Sequence, residues 1–189
     1  IIWVSCAITF CCLCMSVPIV HLVPLLTDKG FTNESASSVL MVLMFSGIFG
    51  RILGGKLGDM YGALPGYMMM SFGQTISVFW FPLLDSILAL YALAIFFGFT
   101  YSGVMSAILV CARTMVPPSY AARMMSITAF FGWGGMGMGG FVGGYLFDLH
   151  GNYFWSFYFA TIVGITNLGI LGLLALRIRQ ARVREEVFS

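Results

Sequence analysis

The chain has 189 residues, of which 60% are hydrophobic and only 8% charged, with a net charge of +2 and a mean hydropathy of +0.97. Soluble domains carry roughly a quarter charged residues, so this composition excludes a water-solvated fold and points to one solvated by lipid. The small positive balance is no nucleic-acid footprint, because no basic patch with interleaved aromatics accompanies it.

Six apolar stretches, at about 1–26, 37–57, 64–84, 87–111, 124–146 and 154–176, each approach the ~20 residues with which a helix crosses a bilayer. Period-two alternation is absent, which argues against barrel strands. The expected fold is all-α, a polytopic membrane bundle of six helices. The first stretch opens directly at Ile1, without initiator Met or signal-like region, as a piece of a longer chain would. Its cysteines, Cys6, Cys11, Cys12 and Cys14, match no zinc spacing and, like Cys111, read as small apolar filler; no metal or cofactor is expected. His21 lies between Pro18 and Pro24, each of which deletes a backbone donor. A helix broken there would suit an outer gate, and histidine, titrating near neutral pH, would suit a coupled proton. The plainer alternative is a histidine donating to a proline-freed carbonyl.

The second stretch holds Arg51, whose placement in a membrane costs a few kcal/mol unless it meets water, a partner or a ligand. A guanidinium binds a carboxylate bidentately, which favours an anionic ligand. Snorkelling to the surface, or pairing with Asp59, is the structural alternative. In the fourth, fifth and sixth stretches Tyr101, Trp133 and Asn167 come to a similar depth at 1.5 Å per residue. Gly135, Gly139 and Gly143 in the fifth suit close helix packing. The tail "RIRQARVREEVFS", residues 177–189, carries four arginines able to grip anionic head groups at about 1 kcal/mol each. If the first helix enters from the cytoplasm, Lys29 alone of the nine basic residues falls outside, a positive-inside bias that sets both chain ends in the cytoplasm of a cell (plasma or inner) membrane protein.

One sentence is written twice. "GGKLGDMYG" at 54–62 returns as "GGYLFDLHG" at 143–151, both G-G-x-L-x-D-x-x-G, each with a further glycine upstream, Gly50 and Gly139. Under the charge-derived topology the copies end on opposite sides of the membrane. Residues 1–86 and 87–176 then form two inverted three-helix repeats, as in many secondary transporters. Helix packing explains the glycines but not the Leu and Asp in register with them.

At these residues the chain resembles the major facilitator superfamily, specifically its C-terminal six-helix half. The superfamily loop motif, G-x-x-x-D-R/K-x-G-R-R/K, matches at Gly55, Asp59 and Gly62 and departs at Met60, Ala63 and Leu64. The branch most similar is that of monocarboxylate porters and oxalate/formate antiporters, through "HLVPLLTDKGF", "GRILGGKLGDMYG" and "GGYLFDLHGNYFWSFYF". The resemblance implies half of a twelve-helix carrier, with a missing N-terminal half as the other wall of the path. It implies a gating latch at Asp59 with Gly55 and Gly62, and an arginine, here Arg51, that meets the substrate anion. It also implies a cavity lined by the first, second, fourth and fifth helices, which keeps Tyr101 and Trp133 as substrate residues and sets Asn167 aside. Monocarboxylate porters have an aspartate where this chain has Gly47, and oxalate/formate antiporters have a lysine that the fifth helix lacks. One buried cation suits a single negative charge.

The expected function is secondary active transport of a small organic anion, a monocarboxylate, by alternating access, with a coupled proton or counter-anion. An exporter of amphipathic compounds and a non-transporting scaffold or sensor are the alternatives. An enzyme is not expected, since no HExxH, intramembrane carboxylate pair or nucleophile elbow is present.

Overall fold

A computed structural model describes residues 2–188, with side chains as far as Ala181. Among the described residues there are six long helices: α1 (Ile2–Asp28), α2 (Asn33–Tyr61), α3 (Ala63–Trp80), α4 (Ile87–Thr114), α5 (Ala121–His150) and α6 (Phe154–Phe188). Single 3-10 turns at Phe81–Leu83 and Pro118–Tyr120 precede α4 and α5. The expected tail is a continuation of α6, and Arg177 lies over the Trp3 ring at 4.6 Å. The side chains of Arg182 and Arg184 lie outside the described residues.

Local chemistry sets the helix ends. Thr32 caps α2, its hydroxyl accepting from the Ser35 N–H at 3.3 Å, with Glu34 in the first turn against the positive helix end. Gly62 (φ 96°) closes α2 and opens α3 in one residue, and Gly151 (φ 67°) ends α5 by donating its N–H to Phe147 O at 2.7 Å. These backbone conformations strain residues with a side chain, which is why both copies of the repeated sentence end in glycine.

Four helices, α1, α2, α4 and the Phe154–Ala181 part of α6, are long and apolar enough to cross a membrane by length and composition. The other two expected spans fall short for visible reasons. α3 has only 18 residues and carries Ser71, Gln74 and Ser77, and the 30 residues of α5 include eight glycines. Both make up the deficit by packing: the α3 polar groups are buried, and the α5 glycines admit α1 closely.

The packing is two-fold in pattern. α2 runs along α4 as α5 runs along α1, α3 packs on α4 as α6 packs on α1, and α3 meets α6 between them. In the first seam, a methyl at Gly50 would strike the Phe99 backbone, and one at Gly54 would sit 2.5 Å from Gly103 Cα. In the second, a methyl at Gly139 would strike Leu13 O, and one at Gly143 would come within 2.7 Å of the His21 ring. The glycines that recur in the sequence are thus the contact points of equivalent seams.

The two motif copies lie at opposite ends of the bundle. Lys29 donates to Leu84 O at 2.7 Å and pairs with Asp85 at 3.0 Å, tying the α1–α2 link to the α3–α4 link. Asp28, Lys29 and Pro82 share a pocket with Gly151 and Asn152, so Gly151 is at that same end. Gly62 is at the other, a full α2 length away.

A neutral polar clasp holds the outer side of the bundle. Asn167 donates to Ser71 Oγ at 2.6 Å and accepts from Tyr67 at 3.3 Å, while Gln74 donates to Cys11 O at 3.3 Å. All five residues are buried, and interhelical hydrogen bonds of this kind add to packing in membranes.

Candidate functional site

The α2–α4 and α1–α5 seams leave a cavity of about 270 Å³ between them. Its walls come from α1 (Ile8, Cys12), α2 (Arg51), α4 (Met105, Ser106 and neighbours) and α5 (Thr128, Trp133 and neighbours). This is the set of four lining helices that the sequence resemblance implies, with α3 and α6 clasped to each other outside.

Arg51 follows Gly50, whose burial in the α2–α4 seam turns the next residue out of the seam and toward the cavity. The expected alternative of a pair with Asp59 does not form: among the described residues the ion pair is Lys29–Asp85, and Arg51 has no hydrogen-bond or ionic partner. A guanidinium carries five donors and no acceptor, and Arg51 is exposed, so its donor fork is open to the cavity.

Trp133, the second expected substrate residue, lines the same cavity and is 70% exposed. Tyr101, the third, is set back. Its ring stacks on Phe97 at 5.9 Å, parallel to within 6°, and it lies within electrostatic range of Arg51 without forming part of the cavity wall. Asn167 is fully buried in the polar clasp, a structural position.

The residues expected to gate are dispersed. Asp59 is exposed at the Gly62 end of α2, and Gly55 has open space around it. Gly62 makes the turn into α3, where Gly66 comes close to Gly58; a methyl at 66 would lie 3.1 Å from Gly58 Cα. His21 is at the other end of the bundle. α1 is continuous through Pro18 and Pro24, so the expected break in this helix is not observed; the helix passes both prolines while packed on α5 and α6. Nor does His21 bond a proline-freed carbonyl of its own helix. Its Nε2 lies 2.9 Å from Gly140 O on α5, and since a carbonyl only accepts, Nε2 carries the proton and donates. Tyr153 packs against the ring at 5.4 Å, and burial together with Asp28 and Asp148 pushes the Tyr153 hydroxyl pKa up.

Two features were not read from the sequence. Gly47, where an acidic residue was sought, is buried in the α2–α4 seam, with Ser102 and the Gly98 carbonyl where a side chain would be. An aspartate there would have to force the helices apart. The second is Thr128, buried in the cavity wall with an unpaired hydroxyl. A signal for the first lay in the spacing Gly47, Gly50, Gly54; no sequence pattern marks the second.

The described geometry agrees with two comparisons. The family model of the Major Facilitator Superfamily matches residues 2–187. Monocarboxylate transporter 13 of Rattus norvegicus is 32% identical over 168 residues, which are 82% of this chain and 37% of that protein. The chain therefore spans little more than a third of the length of the curated relative it matches. With six helices in a two-fold pattern around a four-walled cavity, and with both matches running over most of its length, this multi-pass membrane protein belongs to the Major Facilitator Superfamily, in its monocarboxylate transporter-like branch.

Proposed function

We propose that the chain is the six-helix half of a secondary carrier that moves a small organic anion with one negative charge, a monocarboxylate, by alternating access. The observation that carries this reading is Arg51 facing a cavity with no counter-charge among the described residues. A permanently unpaired arginine at that depth is costly, and a carboxylate arriving from water relieves the cost on binding. One guanidinium and no second cation in the wall match a single charge, and Trp133, Met105 and Met136 offer an apolar surface to the rest of the acid. The length of the rat relative supports a second six-helix half closing the cavity from the other side.

His21 is our candidate for proton coupling. With Nε2 donating to Gly140, Nδ1 is the site at which a proton adds without breaking the interhelical bond. The positive-inside pattern supports cytoplasmic chain ends, which puts His21 toward the outside and Asp59 at the inner gate.

Proteoliposome uptake of radiolabelled lactate, pyruvate and formate by the whole transporter, against a lipophilic cationic dye, tests the reading. Arg51→Ala is expected to abolish acid uptake and Arg51→Lys to reduce it at least tenfold, because an ammonium cannot reproduce the bidentate fork. Acid uptake unaffected by both variants, or dye flux alone, would overturn it. A dye result would favour an exporter of amphipathic compounds served by the Met and Trp wall.

A further inference from the structure

The charged residues divide the molecule by end. Among the described residues, the end that carries Gly62 holds Lys56, Arg113, Arg123, Arg177 and Arg179 against Asp59, whereas the Gly151 end holds Lys29 against Asp28, Glu34, Asp85 and Asp148. The ion pair among them, Lys29–Asp85, belongs to the second set, so no arginine of the basic end is paired with a described carboxylate.

One of these arginines stands at an apolar slot. The α4–α5 link, residues 115–120, and the first two turns of α5 border a recess of about 430 Å³ lined by Val116, Pro117, Tyr120, Arg123, Met124 and Ile127. Met124 is buried there, while Arg123 and Tyr120 are exposed. The slot is separate from the cavity that holds Arg51: Ile127 and the cavity residue Met136 are about two and a half helical turns apart, and so on opposite sides of α5. Arg123 is also in the first turn of α5, where the helix end is itself positive and no acidic residue stands. It lacks the compensation that Glu34 brings to the corresponding turn of α2. Other surface recesses do not combine an apolar wall with an unpaired cation. The α3–α6 groove at Phe72, Ile76 and Ile162 has no charged residue in its wall, and the pocket at the Gly151 end contains Lys29, already paired.

We infer that the slot binds an anionic phospholipid of the leaflet at the basic end, which the positive-inside pattern makes the cytoplasmic one. The phosphate takes the Arg123 fork, with the Tyr120 hydroxyl as a further donor. An acyl chain lies on Val116, Met124 and Ile127; Ile127 is one turn deeper than Arg123, the direction in which a chain leaves its head group. A zwitterionic lipid fits the apolar wall but brings no net charge, and a soluble phosphate brings charge without a chain. Bound there, the lipid fastens the 115–120 link to the start of α5. The inference depends on the chain lying in a membrane and not on what the cavity carries, so its failure leaves the anion-transport reading untouched.

Lipid titration of the purified whole transporter in detergent tests this, read as the lipid concentration that gives half the maximal rise in unfolding temperature. Phosphatidylserine is expected to act at severalfold lower concentration than phosphatidylcholine with the same chains, and glycerophosphoserine, the head group alone, to have no effect. Arg123→Gln is expected to raise the phosphatidylserine requirement about fivefold, the factor that one arginine near an anionic surface contributes, and to leave the phosphatidylcholine response unchanged. Arg113→Gln removes an exposed cation of the same end that is outside the slot, and is expected to raise it by less than about twofold. Where Arg123→Gln does not reach the membrane, Ser119→Glu offers Arg123 a carboxylate one turn away, at a helix end that favours it, and is expected to raise the requirement in the same way. Equal requirements for the two lipids, equal losses in the Arg113 and Arg123 variants, an unaltered requirement in the Arg123 or Ser119 variant, or a full effect of glycerophosphoserine overturns the site.

Discussion

The two glycine seams were built to one plan and then put to different uses. In the α2–α4 seam Gly50 and Gly54 bring the helices together, and the residue after Gly50 is Arg51, turned into the cavity without a partner among the described residues. In the α1–α5 seam Gly139 and Gly143 do the same, and the residue after Gly139 is Gly140, whose carbonyl is taken by His21. One seam leaves a charge exposed; the other buries a polar group and satisfies it. Close packing is a requirement that both copies of a repeat must meet, whereas a ligand site needs its chemistry once. The residues that differ between the copies therefore carry more functional information than those that agree.

The comparison can be tested from its strongest contrast downward. Gly50→Ala and Gly139→Ala are expected to be equally damaging, each by about 1–3 kcal/mol, because each methyl meets backbone on the facing helix. Thermal unfolding of the purified protein in detergent measures this, and a large inequality between them would break the equivalence of the seams. Gly54→Ala should exceed Gly143→Ala, since Gly103 backbone cannot yield as the His21 ring can. The Gly143 variant should also displace the His21–Gly140 bond, and in that background a further His21→Phe change should add almost nothing. Alone, His21→Phe should cost about 1 kcal/mol, the net worth of one hydrogen bond. At the bottom of the scale, Gly55→Ala projects into open space and should be neutral or stabilise the helix by about 0.5–1 kcal/mol.

Much of the fold was legible because bilayer thickness and the punctuation between apolar runs set helix number and length. The stretch expected at 37–57 is observed as Asn33–Tyr61, longer at both ends where polar residues continue the helix past the apolar run. Depth along a helix was legible too: Arg51 and Trp133, expected at a similar height, line one cavity. Rotation about the helix axis was not. Membrane helices apolar on every side carry little amphipathic signal, so a count of residues gives a height but no facing. Tyr101, at the right height, stacks on Phe97 instead of entering the wall. The prolines of α1 misled for a related reason: each removes one backbone bond, but the segment stays helical where it packs on neighbouring helices.

The one-residue turn at Gly62 has a mechanical outcome. With no slack between α2 and α3, a rotation of the helix bearing Arg51 is delivered as torque to α3, and through Ser71 and Asn167 to α6. The α4–α5 connection, residues 115–120, has room to absorb movement instead. The bundle therefore has a one-residue corner and a six-residue one, and the arginine is carried by the helix that ends at the shorter.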